Sequence, residues 1–264
     1  MESSVFYLDW NFWTAVIAAV AIALSQLPPI KLWFRKAKID FELHSRISIT
    51  HKVGNPNLQL HVLASNIGGK KVKIKEINAR IENDSAKQIV IAIPSQTYLQ
   101  TSDTKNGILF TTFSIDQGEE WSHIINLFNS FSREDEKEYR TIQKEMRIDL
   151  TNKLKAKKEE IKNKNKEAED DSEELVELDS KYVNQSKSFF QKHFFWNPGE
   201  YKMTIDVITD QSSSNLSKTF RFTIFEVHTD QMKLIVDRYK YGEDILYPAL
   251  LDNIPEAILD IKEV

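Results

Sequence analysis

Six histidines (His44, His51, His61, His123, His193 and His228) are the side chains here best suited to proton transfer or metal binding near neutral pH. Their spacing supports neither role. No HExxH pair occurs, and no histidine has the closely spaced carboxylates of a metal site. His44, His51 and His61 fall on neighbouring expected strands and could converge, but strand histidines at this spacing are first read as solvent-facing. Gly68-Gly69 is the one Gly pair and lacks the GxGxxG or GxxxxGK[ST] context of a phosphate cradle. No GxSxG elbow is present. Glu119-Glu120 and Glu173-Glu174 are adjacent in sequence, so each pair points apart or lies on a solvated face. Lys71, Lys73 and Lys75 share one side of a strand, which reads as an edge guarded by lysines. An acidic partner, phosphates or a membrane surface are the alternatives. The absence of Cys removes thiol nucleophiles and thiolate metal sites. No catalytic, cofactor-binding or metal-ligating residue is identified, and the expectation is a non-enzymatic protein.

The elements that would position any site divide the 264 residues unevenly. With 35 Lys+Arg against 39 Asp+Glu, the net charge of −4 gives no basic face for nucleic acid, and no nucleic-acid partner is expected. Residues 1–38 begin with an apolar stretch, since no charge lies between Asp9 and Lys31. The window Trp10–Ile30 is 21 residues long, close to the ~20 a helix needs to span hydrocarbon. Trp10 and Trp13 at one end and Trp33 at the other suit interfacial anchors. Pro28-Pro29 should end the helix near Leu27. A cleaved signal would need a basic n-region, which Met1–Asp9 lacks. A soluble core helix would need a polar face. Lys31, Arg35, Lys36 and Lys38 follow the stretch, so the positive-inside rule places the body in the cytoplasm under a single-pass anchor in the cell membrane, N-terminus outside. The lipid bilayer is thus the first expected partner.

Residues 39–132 and 188–228 carry period-two alternation. Ile39, Phe41 and Leu43 begin it, Leu58, Leu60 and Val62 resume it after a Gly54–Asn57 turn, and Val72 and Ile74 follow a second turn at Asn66–Gly69. The apolar set shifts by one position to Ile77, which predicts a β-bulge. Further strands are expected at Gln88–Ile93, stopped by Pro94, then at Ile108–Ile115, Trp121–Leu127, and from Tyr201 and Phe220 onward. Short strands with turn signals and no βα rhythm predict an antiparallel sandwich. The run Asn197–Phe225, a Pro-Gly turn before an aromatic-led strand, resembles the closing hairpin of immunoglobulin-like sandwiches. That resemblance implies a fold and transfers no activity.

Residues 133–187 interrupt the sandwich with 30 charges in 55 positions and no Gly or Pro. Tyr139, Ile142, Met146, Leu150, Leu154 and Ile161 form one apolar stripe, and Leu175, Leu178, Tyr182 and Phe189 another. Ser132 with Asp135 resembles a capping box, and Ser172 is the expected N-cap of a second helix. This predicts a helical hairpin. It is either a solvated arm, a partly disordered loop, or a docking arm that binds a protein partner or a second copy by a coiled coil through Ile142, Met146, Leu150, Leu154, Leu175, Leu178 and Tyr182. In residues 229–264, Thr229 should cap a helix ended by Gly242, and Leu250, Ile254, Ile258 and Ile261 suggest another.

The function this predicts is a membrane-anchored scaffold recruiting a partner, of the kind found in bacterial stress or phage-defence assemblies. A membrane effector whose helix oligomerises is the alternative.

Overall fold

The computed structural model describes residues 10–26, 36–84, 88–100, 107–163, 175–247 and 256–264. The alternating segments become β1 (Ile39–Lys52), β2 (Asn55–Asn66), β3 (Val72–Asn83), β4 (Gln88–Leu99), β7 (Glu120–Phe128), β8 (Gly199–Thr209) and β9 (Leu216–Ile224). Two short strands, β5 (Ile108–Leu109) and β6 (Phe113–Ile115), stand where one was expected. All ladders between these strands are antiparallel, in the order β1-β2-β7-β4-β3-β8-β9. Inward residues such as Phe41, Ile49, Leu60, Ile77, Ile125 and Phe222 fill a continuous core. The bulge expected in β3 is present as a register shift between Ile74 and Glu76.

Two segments change partners and bring the antiparallel sheet close to a closed barrel. The first is β4. It does not stop at Pro94: residues up to Pro94 pair with β3, and Ser95–Leu99 pair with β7. Proline, which has no N–H to give, stands at the last pair with β3, where the ladder ends. The second is the C-terminal tail, which is not helical where it is described. Ala257–Asp260 (β10) pairs with β1, and Lys262–Glu263 (β11) pairs with β9. Between them Ile261 donates its N–H to Ser45 O at 2.9 Å. Ser45 is available because the β1 register shifts between Leu43 and Ile47. Leu250 and Ile254 lie outside the described residues. β3, with neighbours on both sides, is an interior strand, so its lysines do not guard an edge.

The helices are α1 (Trp10–Gln26), α2 (Arg133–Asn163), α3 (Ser180–His193) and α4 (Glu226–Lys233), the last running into a 3-10 helix, Leu234–Tyr241. The Ser132–Asp135 box caps α2: Asp135 N–H reaches Ser132 Oγ at 3.1 Å, and Ser132 Oγ donates to the Asp135 carboxylate at 2.7 Å. Ser172 lies outside the described residues; α3 begins later, capped by Asp179, which accepts from Lys181 N–H. α4 begins at Glu226, so Thr229 is internal and instead donates to Trp196 O at 2.9 Å. Gly242, at φ +85°, ends the 3-10 helix as expected.

The inserted hairpin does not stand free. Tyr139, Ile142 and Met146 of α2, Val183, Phe189 and Phe190 of α3, and Ile235, Tyr239 and Ile245 form a second core. Three elements share it, so the packing is not a two-helix coiled coil. The turn joining β1 to β2 is Val53-Gly54, one position before the expected one, and it presses against this core. Gly54 has φ +88°, and a Cβ there would lie 2.6 Å from Phe190 O. Gly54→Ala should therefore cost about 2–3 kcal/mol, from the left-handed backbone and the contact together. Urea unfolding of the purified variant measures the loss.

Candidate functional site

The β-structure has two ends that carry different elements. β2, twelve residues long, separates them by about 40 Å. At the basal end the segment Lys36–Lys38 runs under the β2–β3 turn: Ile67 and Gly68 N–H both reach Lys38 O, at 3.0 and 3.1 Å, and Gly69 N–H reaches Lys36 O at 3.2 Å. Gly68 is required by this approach, since a Cβ would lie 2.4 Å from Lys38 N. Asn66, 1% exposed, organises the turn. Its amide donates to Lys70 O and Ile115 O, and its Oδ1 accepts from Gly68 N–H.

The apical end carries α2 and α3. Ile142, Met146 and Leu178 are buried in the second core, and Leu150 and Tyr182 are half-buried against it. Leu154 and Leu175 remain exposed, at 42% and 44%. Of the seven residues expected to bind a partner, only these last two are exposed. α2 extends past the second core, and its side chains from Lys155 to Glu160 are exposed except Ala156's neighbour Lys157, which is half-buried.

On α1, Trp10 is 82% and Trp13 51% exposed, with Ile17, Val20, Ile22 and Leu24 also open. Lys31, Trp33 and Arg35 lie outside the described residues, and Lys36 and Lys38 are exposed at the basal end. The described part of the expected 21-residue span is a 17-residue helix. Among the described residues no helix is long and apolar enough to cross a membrane, so the span is not borne out as drawn.

The titratable groups concentrate at the apical joint. A cleft of about 380 Å³ there is lined in part by Ser132, Asp135, Lys192 and His193. Lys192 Nζ lies 2.6 Å from Asp135 Oδ1; Lys192 and Ser132 hold this carboxyl below its ordinary range. His193 Nε2 is 3.5 Å from the same oxygen, too long for a hydrogen bond. The serine hydroxyl contacts the acid and not the imidazole, so the arrangement gives it no activating base. It is instead a junction of helix ends: acids in the first turn of α2 meet cations in the last turn of α3, each favoured by the local dipole.

Of the three histidines expected on neighbouring strands, His44 and His61 come together and His51 does not join them. His44 and His61 stack at 6.2 Å, and His61 Nε2 is 3.0 Å from Ser122 Oγ. His51 is at the apical end, buried between Phe190 and Phe194, with Nε2 2.8 Å from Met232 O and Nδ1 accepting from Gly54 N–H. These partners define a neutral ring with its proton on Nε2, and burial lowers its pKa. The signal was its parity with Ile47 and Ile49, which faces it inward. Asp244, at φ +61°, had no such signal; its carboxylate accepts from Val53 N–H at 3.3 Å. Burial pushes its pKa up to about 6, only partly offset by Val53 and the Lys52 charge. Burial first, and this carboxylate second, raise the pKa of the Tyr139 and Tyr239 hydroxyls.

Compared with protein-family models, curated proteins and solved structures, the chain matches none.

Because Asp244 binds its proton more tightly folded than unfolded, its stabilising contribution is complete below pH ~4 and is lost as pH rises through about 6. Asn suits the positive φ and keeps an acceptor for Val53. Asp244→Asn should raise stability by about 1–3 kcal/mol at pH 7.5 and change little at pH ~4. His51 acts in the opposite sense, its stability being present above pH 6.5 and lost on acidification, so the difference between variant and parent isolates Asp244. Thermal unfolding at both pH values reads it. Asn66→Ala takes the side-chain donor from the Lys70 and Ile115 carbonyls, leaves Gly68 N–H with Lys38 O alone, and should cost about 2–4 kcal/mol in the same assay.

Proposed function

We propose that this chain is a non-catalytic, membrane-anchored interaction protein, in which α1 holds an immunoglobulin-like sandwich at the inner face of the cell membrane and the α2–α3 arm recruits a protein partner. The observation that carries the reading is α1. It has no charged residue, carries apolar side chains around its circumference, and leaves Trp10, Ile17, Val20, Ile22 and Leu24 exposed. A helix hydrophobic all round is stable only inside lipid or another apolar body. Its 17 residues rise about 26 Å against roughly 30 Å of hydrocarbon, a mismatch that local thinning of the bilayer accommodates.

Strand order supports the finer fold. β1-β2-β7 with the end of β4 matches the A-B-E-D sheet, and β3-β8-β9 matches C-F-G, with the start of β4 beside C. Tyr201, near the start of β8, donates its hydroxyl to Asn197 O at 2.7 Å, the backward bond of a tyrosine corner. The arm then lies between strands E and F. Its exposed Leu154 and Leu175, on an end about 40 Å from the basal turn, are placed to meet a partner away from the lipid surface.

The anchor is tested by fractionating cells that express the full chain. It should stay with membranes after alkaline carbonate and be released by detergent; recovery in the soluble fraction without detergent overturns the reading. For the arm, Leu154→Glu with Leu175→Glu should leave unfolding within about 0.5 kcal/mol of the parent. The same pair should abolish co-purification of the partner from solubilised membranes. An unchanged set of co-purifying proteins removes the arm's role. The second reading, an effector whose helices associate in the bilayer, is favoured by Ala15, Ala19 and Ala23, one turn apart on α1. It predicts growth arrest on overexpression that Ala19→Arg abolishes.

A further inference from the structure

We infer that the basal end of the sandwich is itself a lipid-binding face, with Ile67 set into anionic phospholipid headgroups and the surrounding lysines paired with their phosphates. The inference rests on the proposed anchoring by α1 and adds a second, specific contact to it.

Ile67 stands at the tip of the β2–β3 turn with nearly half of its surface, 47%, exposed. Its neighbours in space are fixed by backbone bonds: Lys36 and Lys38 on the segment beneath it, Lys70 and Lys71 after Gly69. All four lysines are exposed. Lys71 is paired, 3.1 Å from Asp116, while Lys36, Lys38 and Lys70 make no ion pair among the described residues. Of the other acids at this end, the Glu119 carboxylate accepts from Asp116 N–H, that of Asp210 from Lys73 N–H, that of Asp40 from Phe41 N–H, and that of Glu120 from Ser65 Oγ. An apolar tip ringed by cations fits a surface that is oily beneath and negative above. The turn is rigid, because the Asn66 amide holds it from below and the absent Gly68 side chain lets the leading segment lock against it.

What this end faces follows from chain length. Nine residues separate Gln26 from Lys36, so the two lie at most about 35 Å apart. With α1 in the bilayer, the basal end is the part of the sandwich that must remain near the interface. Lys31 and Arg35, in the same connecting stretch, add charge of the same sign.

The absence of cysteine makes the test direct. In the full chain, Ile67→Cys carries a polarity-sensitive fluorophore, and Asn184→Cys, exposed on α3, carries it in a control. Each is reconstituted into phosphatidylcholine vesicles with or without phosphatidylglycerol, and flotation confirms that the protein is vesicle-bound. At position 67, phosphatidylglycerol should shift emission to the blue and cut iodide quenching by about threefold. Position 184 should not respond. Lys36→Glu, Lys38→Glu and Lys70→Glu combined should remove the effect at position 67 while flotation is kept. A chain that floats but whose position 67 is equally quenched in both lipids overturns this inference and leaves the anchor standing. A chain that does not float overturns both.

Discussion

The joint between the two cores is the constraint on which the rest of the molecule depends, and it is five residues long. Four separate segments converge on residues 50–54. Trp196 donates its indole N–H to Thr50 O at 2.7 Å, Met232 O pairs with His51, the Asp244 carboxylate takes Val53 N–H, and Phe190 O lies against Gly54. Val53 adopts φ +50°, a conformation that costs a β-branched residue on the order of 1–2 kcal/mol. Its side chain, 1% exposed, belongs to the helical core, and that burial offsets the strain with about 1.5–3 kcal/mol. A hairpin turn that would ordinarily be Asn-Gly has been given to packing between cores.

The antiparallel β-structure supplies a stiff platform for this joint because it is tied along both edges. β4 hands over from β3 to β7 at Pro94, and the C-terminal tail hands over from β1 to β9 at Ile261. Strands β1 and β9, which would otherwise be open to pairing with another chain, are covered by β10 and β11. With both edges occupied, the surfaces left for recognition are the two ends. One is bound to the segment that leads back to α1, and the other carries the helices.

Titratable groups at the apical joint are bound up with the packing of the two cores. His51 is neutral with both ring nitrogens occupied, and Asp135 is engaged by Lys192 and Ser132. Asp244 sits where burial works against its charge. Two opposed acid–base groups in one joint give its stability a pH dependence of mixed sign.

The sequence by itself determined what depends on near neighbours. Alternation placed the strands because successive side chains on an extended backbone point to opposite faces, and the capping box of α2 was legible because Ser132 and Asp135 are three residues apart. The charge-free run of α1 was likewise plain. Only the tertiary structure decided which apolar stripe is surface and which is core. Ile142, Met146 and Leu178 look in sequence like a seam awaiting a partner, and what covers them is Ile235 and Tyr239, some sixty to ninety residues on. The tail's apolar spacing suited a helix, yet Ala257–Glu263 extends because β1 and β9 offer it unpaired edges. His51, Asn66 and Asp244 became structural hubs for the same reason. Burial and strand pairing are set by residues distant in sequence, and the free energy that fixes them exists only once the chain has brought those residues together.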